Sequence, residues 1–179
     1  MKARQAALTP NSSVFNLLQD KWKRTNTFDG IVDDVSTVGR VISIRYFLHW
    51  YYGGAAHPIH SPKTFNYLLE PVCFINDVRT IFQGDEALHV LQSEVEKSLA
   101  KSLYENGYVT QDLEWIREGT KDWASFSNFG FAEDGLVFQF ASYQVAPYSA
   151  GMPAAFVSYD RVLPHLTDTF VHALNRYRG

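Results

Sequence analysis

The chain has 179 residues, 46% of them hydrophobic and 20% charged, with 16 basic and 19 acidic side chains and a formal net charge of −3. That length suits one domain able to bury roughly 70% of its unfolded surface, and the composition excludes a disordered chain and a basic field that would attract nucleic acid. The single cysteine excludes an internal disulfide and a cysteine-based zinc cage, and no run reaches the roughly 18 apolar residues of a membrane span.

In chain order, Met1–Gln5 carries positive charge, but Leu8-Thr9-Pro10-Asn11-Ser12 stands where an export signal would have its apolar stretch, so the sequence reads as lacking one. Ser13 can cap a helix with Val14, Leu17, Leu18 and Trp22 on one face. Asp29-Gly30 reads as a turn. From Val41 to Tyr52 the residues are β-branched and aromatic, which predicts a long strand. A period of two puts Ile42, Ile44, Tyr46, Leu48, Trp50 and Tyr52 on the core face and Ser43, Arg45, Phe47, His49 and Tyr51 on a mixed, partly wet one. Gly53–Pro58 ends the strand in a tight turn. Phe65–Leu69 reads as a second strand, Pro71 opens a new segment, and Cys73 within Val72-Cys73-Phe74-Ile75 reads as a small buried hydrophobe.

Asn76 or Asp77 can cap a helical turn bearing Val78, Ile81 and Phe82. Asp85 can cap a longer helix with the stripe Leu88, Leu91, Val95, Leu99, Leu103, which Asn106-Gly107 stops. A strand is expected within Trp123–Phe131, a hairpin turn at Asp134-Gly135, and a strand over Leu136–Tyr143. Pro147–Met152 reads as a loop and Phe156-Val157 as extended. Ser158 or Asp160 then opens one terminal helix with Leu163, Leu166, Phe170, Val171 and Leu174. Helices interleaved with antiparallel strands predict an α+β fold, an antiparallel sheet packed against a few helices in a single domain over residues 36–179, with residues 1–35 as an N-terminal arm and helix.

No catalytic constellation emerges. His57-Pro58-Ile59-His60 offers two imidazoles after His49, but the proline and the spacing break the one-face helical arrangement of zinc hydrolases, and no metal or cofactor is expected. There is no Gly-x-Ser-x-Gly elbow and no phosphate-binding glycine loop. The acid pairs Asp33-Asp34, Asp85-Glu86 and Glu133-Asp134 flank turns and helix starts, where acids are expected in any case. Binding is better supported. Tyr51, Tyr52, Tyr143 and Tyr148 sit at strand ends beside His57 and Pro147, and tyrosine pairs an apolar ring with a polar tip at low entropic cost, so these residues are the candidate binding surface.

Two stretches resemble a known family. Tyr51-Tyr52-Gly53-Gly54-Ala55-Ala56-His57-Pro58, followed by Thr64-Phe65-Asn66-Tyr67-Leu68, is similar to its Gly-Gly-Ala-His-Pro turn and Thr-Phe-Asn strand. Asp134–Phe140 and Tyr143-Gln144-Val145-Ala146-Pro147-Tyr148-Ser149-Ala150-Gly151 resemble its second signature, and Val157–Leu163 its closing helix start. The family is the RsiV-like domain of unknown function, found in the extracytoplasmic part of lysozyme-sensing anti-sigma factors and beside some peptidoglycan deacetylases. The resemblance covers about residues 40–165. This chain has one more small residue in the turn, and Gln144 where the family usually has Glu. What the resemblance implies is an α+β, non-catalytic module of the periplasm or cell exterior that binds a C-type lysozyme or a peptidoglycan fragment. The competing expectation is a hydrolase using His57 with a carboxylate that folding brings near.

Overall fold

A computed structural model of the chain describes residues 26–108 and 113–175. The helix expected after Ser13 lies outside them. The architecture is α+β, as the interleaved patterns predict, with two antiparallel sheets. Strands β1 (Thr27–Val38), β2 (Val41–Tyr51), β3 (Ile59–Leu69) and β4 (Val72–Ile75) form a first sheet in the order β1-β2-β3-β4. Strands β5 (Phe129–Ala132), β6 (Gly135–Gln139) and β7 (Ala154–Ser158) form a second, in the order β5-β6-β7. The α-helices among the described residues are α1 (Ala87–Glu105), α2 (Leu113–Gly119), α3 (Tyr159–Val162) and α4 (Asp168–Ala173). The described residues divide into a main compact unit, residues 30–48, 60–108 and 113–175, and a smaller one, residues 26–29 and 49–59.

The strand β1 corrects the expected turn at Asp29-Gly30, which lies inside it. Its acids and glycine mask an extended segment that exists because β2 lies beside it. Gly39 turns the chain between them with φ +55°, and a Cβ there would lie 2.1 Å from the Ala173 carbonyl oxygen, so glycine is required.

The long strand over β2 forms as its composition predicts, but its faces are reversed. Val41 and Ser43 are buried, whereas Ile42 and Ile44 are only half-buried. The reason is a chain of buried hydrogen bonds. Ser43, 1% exposed, donates from Oγ to Asn66 Oδ1 at 2.6 Å and accepts from the Phe131 amide at 2.9 Å. Asn66 Nδ2 donates to the Phe129 carbonyl at 2.8 Å, and Ser36 Oγ donates to the Phe131 carbonyl at 2.6 Å. β5 is an edge strand, and its outward backbone groups are satisfied by side chains of the first sheet rather than by another strand. Gly130 lies on the same face, where a Cβ would stand 3.7 Å from Ser43, Arg45 and Thr64. Arg45 closes this face with Asp33 at 3.5 Å and Asp34 at 3.3 Å.

The second sheet carries the aromatic core. Phe126, Phe129, Phe131, Phe138 and Phe140 are fully buried, with Phe126 edge-on to Phe138 at 5.4 Å and Phe131 stacked on Phe170 at 6.1 Å. The helix α1 buries Leu91, Val95, Leu99 and Leu103 of the expected stripe, leaves Leu88 half-buried with Ala87 buried before it, and ends at Asn106 with Gly107 in the left-handed region. Its Ser98 accepts from the Phe156 amide of β7 at 2.9 Å.

Four local expectations shift. Glu86, without a side-chain cap bond, stands at the α1 N-cap instead of Asp85. The hairpin turn is Glu133-Asp134, because Gly135 already pairs with Ala132 and its Cβ position lies 2.3 Å from the Val157 carbonyl oxygen. The strand expected to reach Tyr143 stops at Gln139. The single terminal helix is instead α3, a 3-10 turn over Leu163–His165 and α4, since Pro164 has no amide proton to continue α3. Asp77 and Ser158 do cap, accepting from the Arg79 and Asp160 amides at 2.8 and 3.4 Å.

Cys73 is exposed, against the expectation of burial. Its strand β4 pairs only with β3 at the sheet edge, and Val72, Cys73 and Phe74 are all open.

Glu94 joins α1 to α3, accepting from Lys97 Nζ at 2.7 Å and Arg161 Nε at 3.2 Å. The Lys97 hydrogen bond, opposed by partial burial and aided by Arg161, holds its carboxyl below the ordinary range. A lowered carboxyl stabilises above its unfolded-state value, and that contribution disappears as pH falls through the folded-state value. Glu94→Gln is expected to cost about 0.5–1 kcal/mol at pH 7, an increment that vanishes in acid. Urea unfolding of both proteins across that range reads the difference.

Candidate functional site

Tyr51, Tyr52 and His57 belong to the smaller unit. The Tyr51 hydroxyl donates to the Ala55 carbonyl at 3.0 Å, and the Ala55 amide donates to the Tyr52 carbonyl at 2.8 Å, so both tyrosines brace the Gly53-Gly54 turn. The Gly53 amide donates to Asn26 Oδ1 at 3.0 Å. Tyr52 and His57 are exposed, and His57 Nδ1 lies 3.1 Å from the Pro58 carbonyl oxygen.

The main unit holds Tyr143, Pro147 and Tyr148 on the loop between β6 and β7. Tyr143 and Tyr148 meet with ring centroids 5.5 Å apart. Tyr148 continues onto His60 at 6.5 Å, and His60 onto Phe47 at 5.3 Å, so four rings form a row from the loop to strands β3 and β2. Successive planes tilt by only 33°, 25° and 38°. Tyr143 is the open end, 55% exposed, and Pro147 beside Tyr148 is exposed too. From the sequence, His60 reads only as one of two imidazoles and Phe47 only as part of a mixed face. Their alternation with buried Val41 and Ser43 on β2, and with Thr64 on β3, was the available signal.

The loop is tightly held. Gln144 accepts the Ala141 amide at 3.2 Å and donates from Nε2 to the Gly119 and Ser125 carbonyls at 3.0 and 2.9 Å. Val145 and Ala146 are buried. Trp115 Nε1 donates to the Tyr143 carbonyl at 3.1 Å, Ser142 Oγ to the Gly151 carbonyl at 3.1 Å, and the Tyr108 hydroxyl to the Ser149 carbonyl. Those restraints keep Tyr143 at φ +70°, a left-handed conformation that costs a bulky residue about 1 kcal/mol or more. The Ser125 turn is itself fixed by Asp122, which accepts from the Ser125 hydroxyl and amide. Those two bonds hold its carboxyl below the ordinary range.

No group of three or more metal-ligating side chains occurs among the described residues, and no helix among them is long and apolar enough to cross a membrane. An open groove of about 620 Å³ runs beside α1 and α2, lined by His89, Gln92, Glu96, Arg117 and Thr120 among others. Its charges are already engaged. Arg117 meets Glu96 through two bonds of 3.1 and 3.0 Å, which raise the guanidinium's affinity for its proton.

Residues 79–160 match the family described as "Protein of unknown function (DUF3298)". That span runs from the turn before α1 to the start of α3, so it includes Tyr143, Pro147 and Tyr148 and leaves out Phe47 and His60. No curated protein matches the chain. Two solved structures share its fold. One is a DUF3298-family member from Bacteroides fragilis, TM-score 0.64, 18% identical, matched over 97% of this chain and 64% of that one. The other is a DUF3298-family protein from Pseudomonas aeruginosa, TM-score 0.59, 15% identical, matched over 93% of this chain and 74% of that one. The chain thus spans 64% of the length of the Bacteroides protein.

Proposed function

We propose that the chain is a non-catalytic binding module and that the row Tyr143–Tyr148–His60–Phe47 is its contact surface. The observation that carries this reading is a row of aromatic rings, open at Tyr143, whose Tyr143 and Tyr148 sit on a loop with its backbone held by the side chains of Gln144, Trp115, Ser142 and Tyr108, and whose His60 and Phe47 sit on strands β3 and β2. Rings held rigid before contact lose little entropy on binding and hide large apolar area. The class of partner comes from the resemblance to the RsiV-like domain: a lysozyme-like protein or a peptidoglycan fragment, met outside the cytoplasm.

Calorimetric titration against C-type lysozyme and against soluble peptidoglycan fragments tests the reading. Binding to one of them is expected, weakened about 10- to 100-fold by Tyr143→Ala, the cost of removing a central interface ring. Tyr143 is exposed, and alanine puts the same Cβ on the left-handed backbone, so the fold should survive. Silence with both ligands, or binding that Tyr143→Ala leaves unchanged, would reject it.

A further inference from the structure

The helix α2 has 7 residues and buries one side chain, Ile116, whereas isolated helices shorter than about 12–15 residues are marginal in water. Its place is therefore set by what it binds on its two sides. Residues four apart share a helix face, and residues two apart point about 200° away from each other. Trp115 and Gly119 share the face toward the loop between β6 and β7. The Trp115 indole donates to the Tyr143 carbonyl at 3.1 Å, and the Gly119 carbonyl accepts from Gln144 Nε2 at 3.0 Å. Arg117 stands on the opposite side, against α1. Its guanidinium donates to the Glu96 carboxylate from Nε at 3.1 Å and from Nη2 at 3.0 Å. One turn earlier on α1, Gln92 Nε2 donates to the carbonyl of buried Thr120 at 2.8 Å, just past the end of α2.

We propose that Glu96, Arg117 and Gln92 are positioning residues for the Tyr143 ring, acting through α2 and Trp115; the proposal rests on the reading of the ring row as a contact surface. Tyr143 keeps φ +70° because its surroundings over-determine it, and the bond from Trp115 fixes the peptide that follows its ring. That bond holds only while α2 itself is held. One buried side chain is a pivot, and a guanidinium fork whose two bonds must align together removes rotation about it. The Gln92 bond then pins the C-terminal end. As a source of stability the ion pair is weak, since the Arg117 side chain is 63% exposed and that of Glu96 26%. Its consequence lies at the far side of α2, where a small rotation of the helix displaces the one ring of the row that is open to a partner. The charges lining the α1–α2 groove thereby hold a helix rather than a ligand.

The test begins with the full chain alone. The Tyr143 carbonyl carbon, followed by NMR, reports the bond from Trp115, and Trp115→Phe, which keeps a ring without the N–H, sets the value for that bond lost. Arg117→Ala is expected to move the signal toward that value while the thermal midpoint stays within a few degrees. Exchanging the pair, Glu96→Arg with Arg117→Glu, should return the signal, which a purely structural loss of the Arg117 side chain would not allow. Titration with C-type lysozyme and with soluble peptidoglycan fragments then reads the consequence. Arg117→Ala is expected to weaken binding about 3- to 30-fold, and to add little once Trp115→Phe is present, because both act through one bond. A Tyr143 carbonyl signal that Arg117→Ala leaves in place overturns the proposal, and so do two binding losses that simply add. If the unsubstituted chain binds neither ligand, the ring-row reading falls, while the carbonyl signal still decides whether the pair positions Tyr143.

Discussion

Asn66→Leu is expected to lower the unfolding free energy by about 3–5 kcal/mol, a large share of the roughly 5–15 kcal/mol available to a domain of this size. Leucine keeps the branch at Cγ and is larger than asparagine, so the loss reflects stranded hydrogen-bonding groups with some overpacking, and not a cavity. Asn66 and Ser43 are each 1% exposed, and water cannot replace what is lost. The Phe129 carbonyl loses its donor, and the Ser43 hydroxyl, still holding the Phe131 amide, loses its acceptor. Each stranded group costs about 1–3 kcal/mol. Asn66→Asp should be at least as damaging at neutral pH, since a carboxylate can accept from Ser43 but has nothing to donate to the carbonyl and carries a buried charge. Urea unfolding midpoints decide; a loss under about 1 kcal/mol would mean that the two sheets are held together by packing alone.

Gly119→Ala is expected to cost about 2–4 kcal/mol and to lower the thermal midpoint by roughly 5–12 °C. The added Cβ would lie 2.1 Å from the Gln144 carbonyl oxygen and 2.8 Å from Val145 Cγ1. Neither is the loose end of a side chain. Gln144 is part of the backbone that carries Tyr143, and Gln144 Nε2 is bonded to the Gly119 carbonyl itself. Relief therefore requires the C-terminal end of α2 to part from the loop, which releases the ring row as well. A paired measurement separates this from a simple local clash: calorimetry of the variant should show partner binding weakened along with stability.

The elements legible in the sequence are those whose signals are local. The Val41–Tyr51 strand is β-branched and aromatic throughout, and the helix from Ala87 has a sustained stripe and a glycine stop. The residue Asp77 offers a carboxylate one position before its turn. Features set by distant partners were not legible. Ser43 is buried because a strand 88 residues away needs its hydroxyl, and no periodicity records that. Three acids and a glycine made β1 resemble a loop until β2 lay beside it. Val72-Cys73-Phe74 reads as core because apolar runs usually are, yet sheet order leaves that strand at an edge. Tyr143, Pro147 and Tyr148 were candidates from composition, whereas their junction with His60 and Phe47 depends on how β2, β3 and the loop converge.

The measurement closest to the central claim is a backbone and aromatic NMR shift map of the chain during titration with C-type lysozyme or a soluble peptidoglycan fragment. Perturbations are expected to concentrate at Tyr143, Tyr148, His60 and Phe47, with α1 residues such as His89 and Gln92 unmoved. Shifts gathered instead along the α1–α2 groove, or no shifts with either partner, would contradict it.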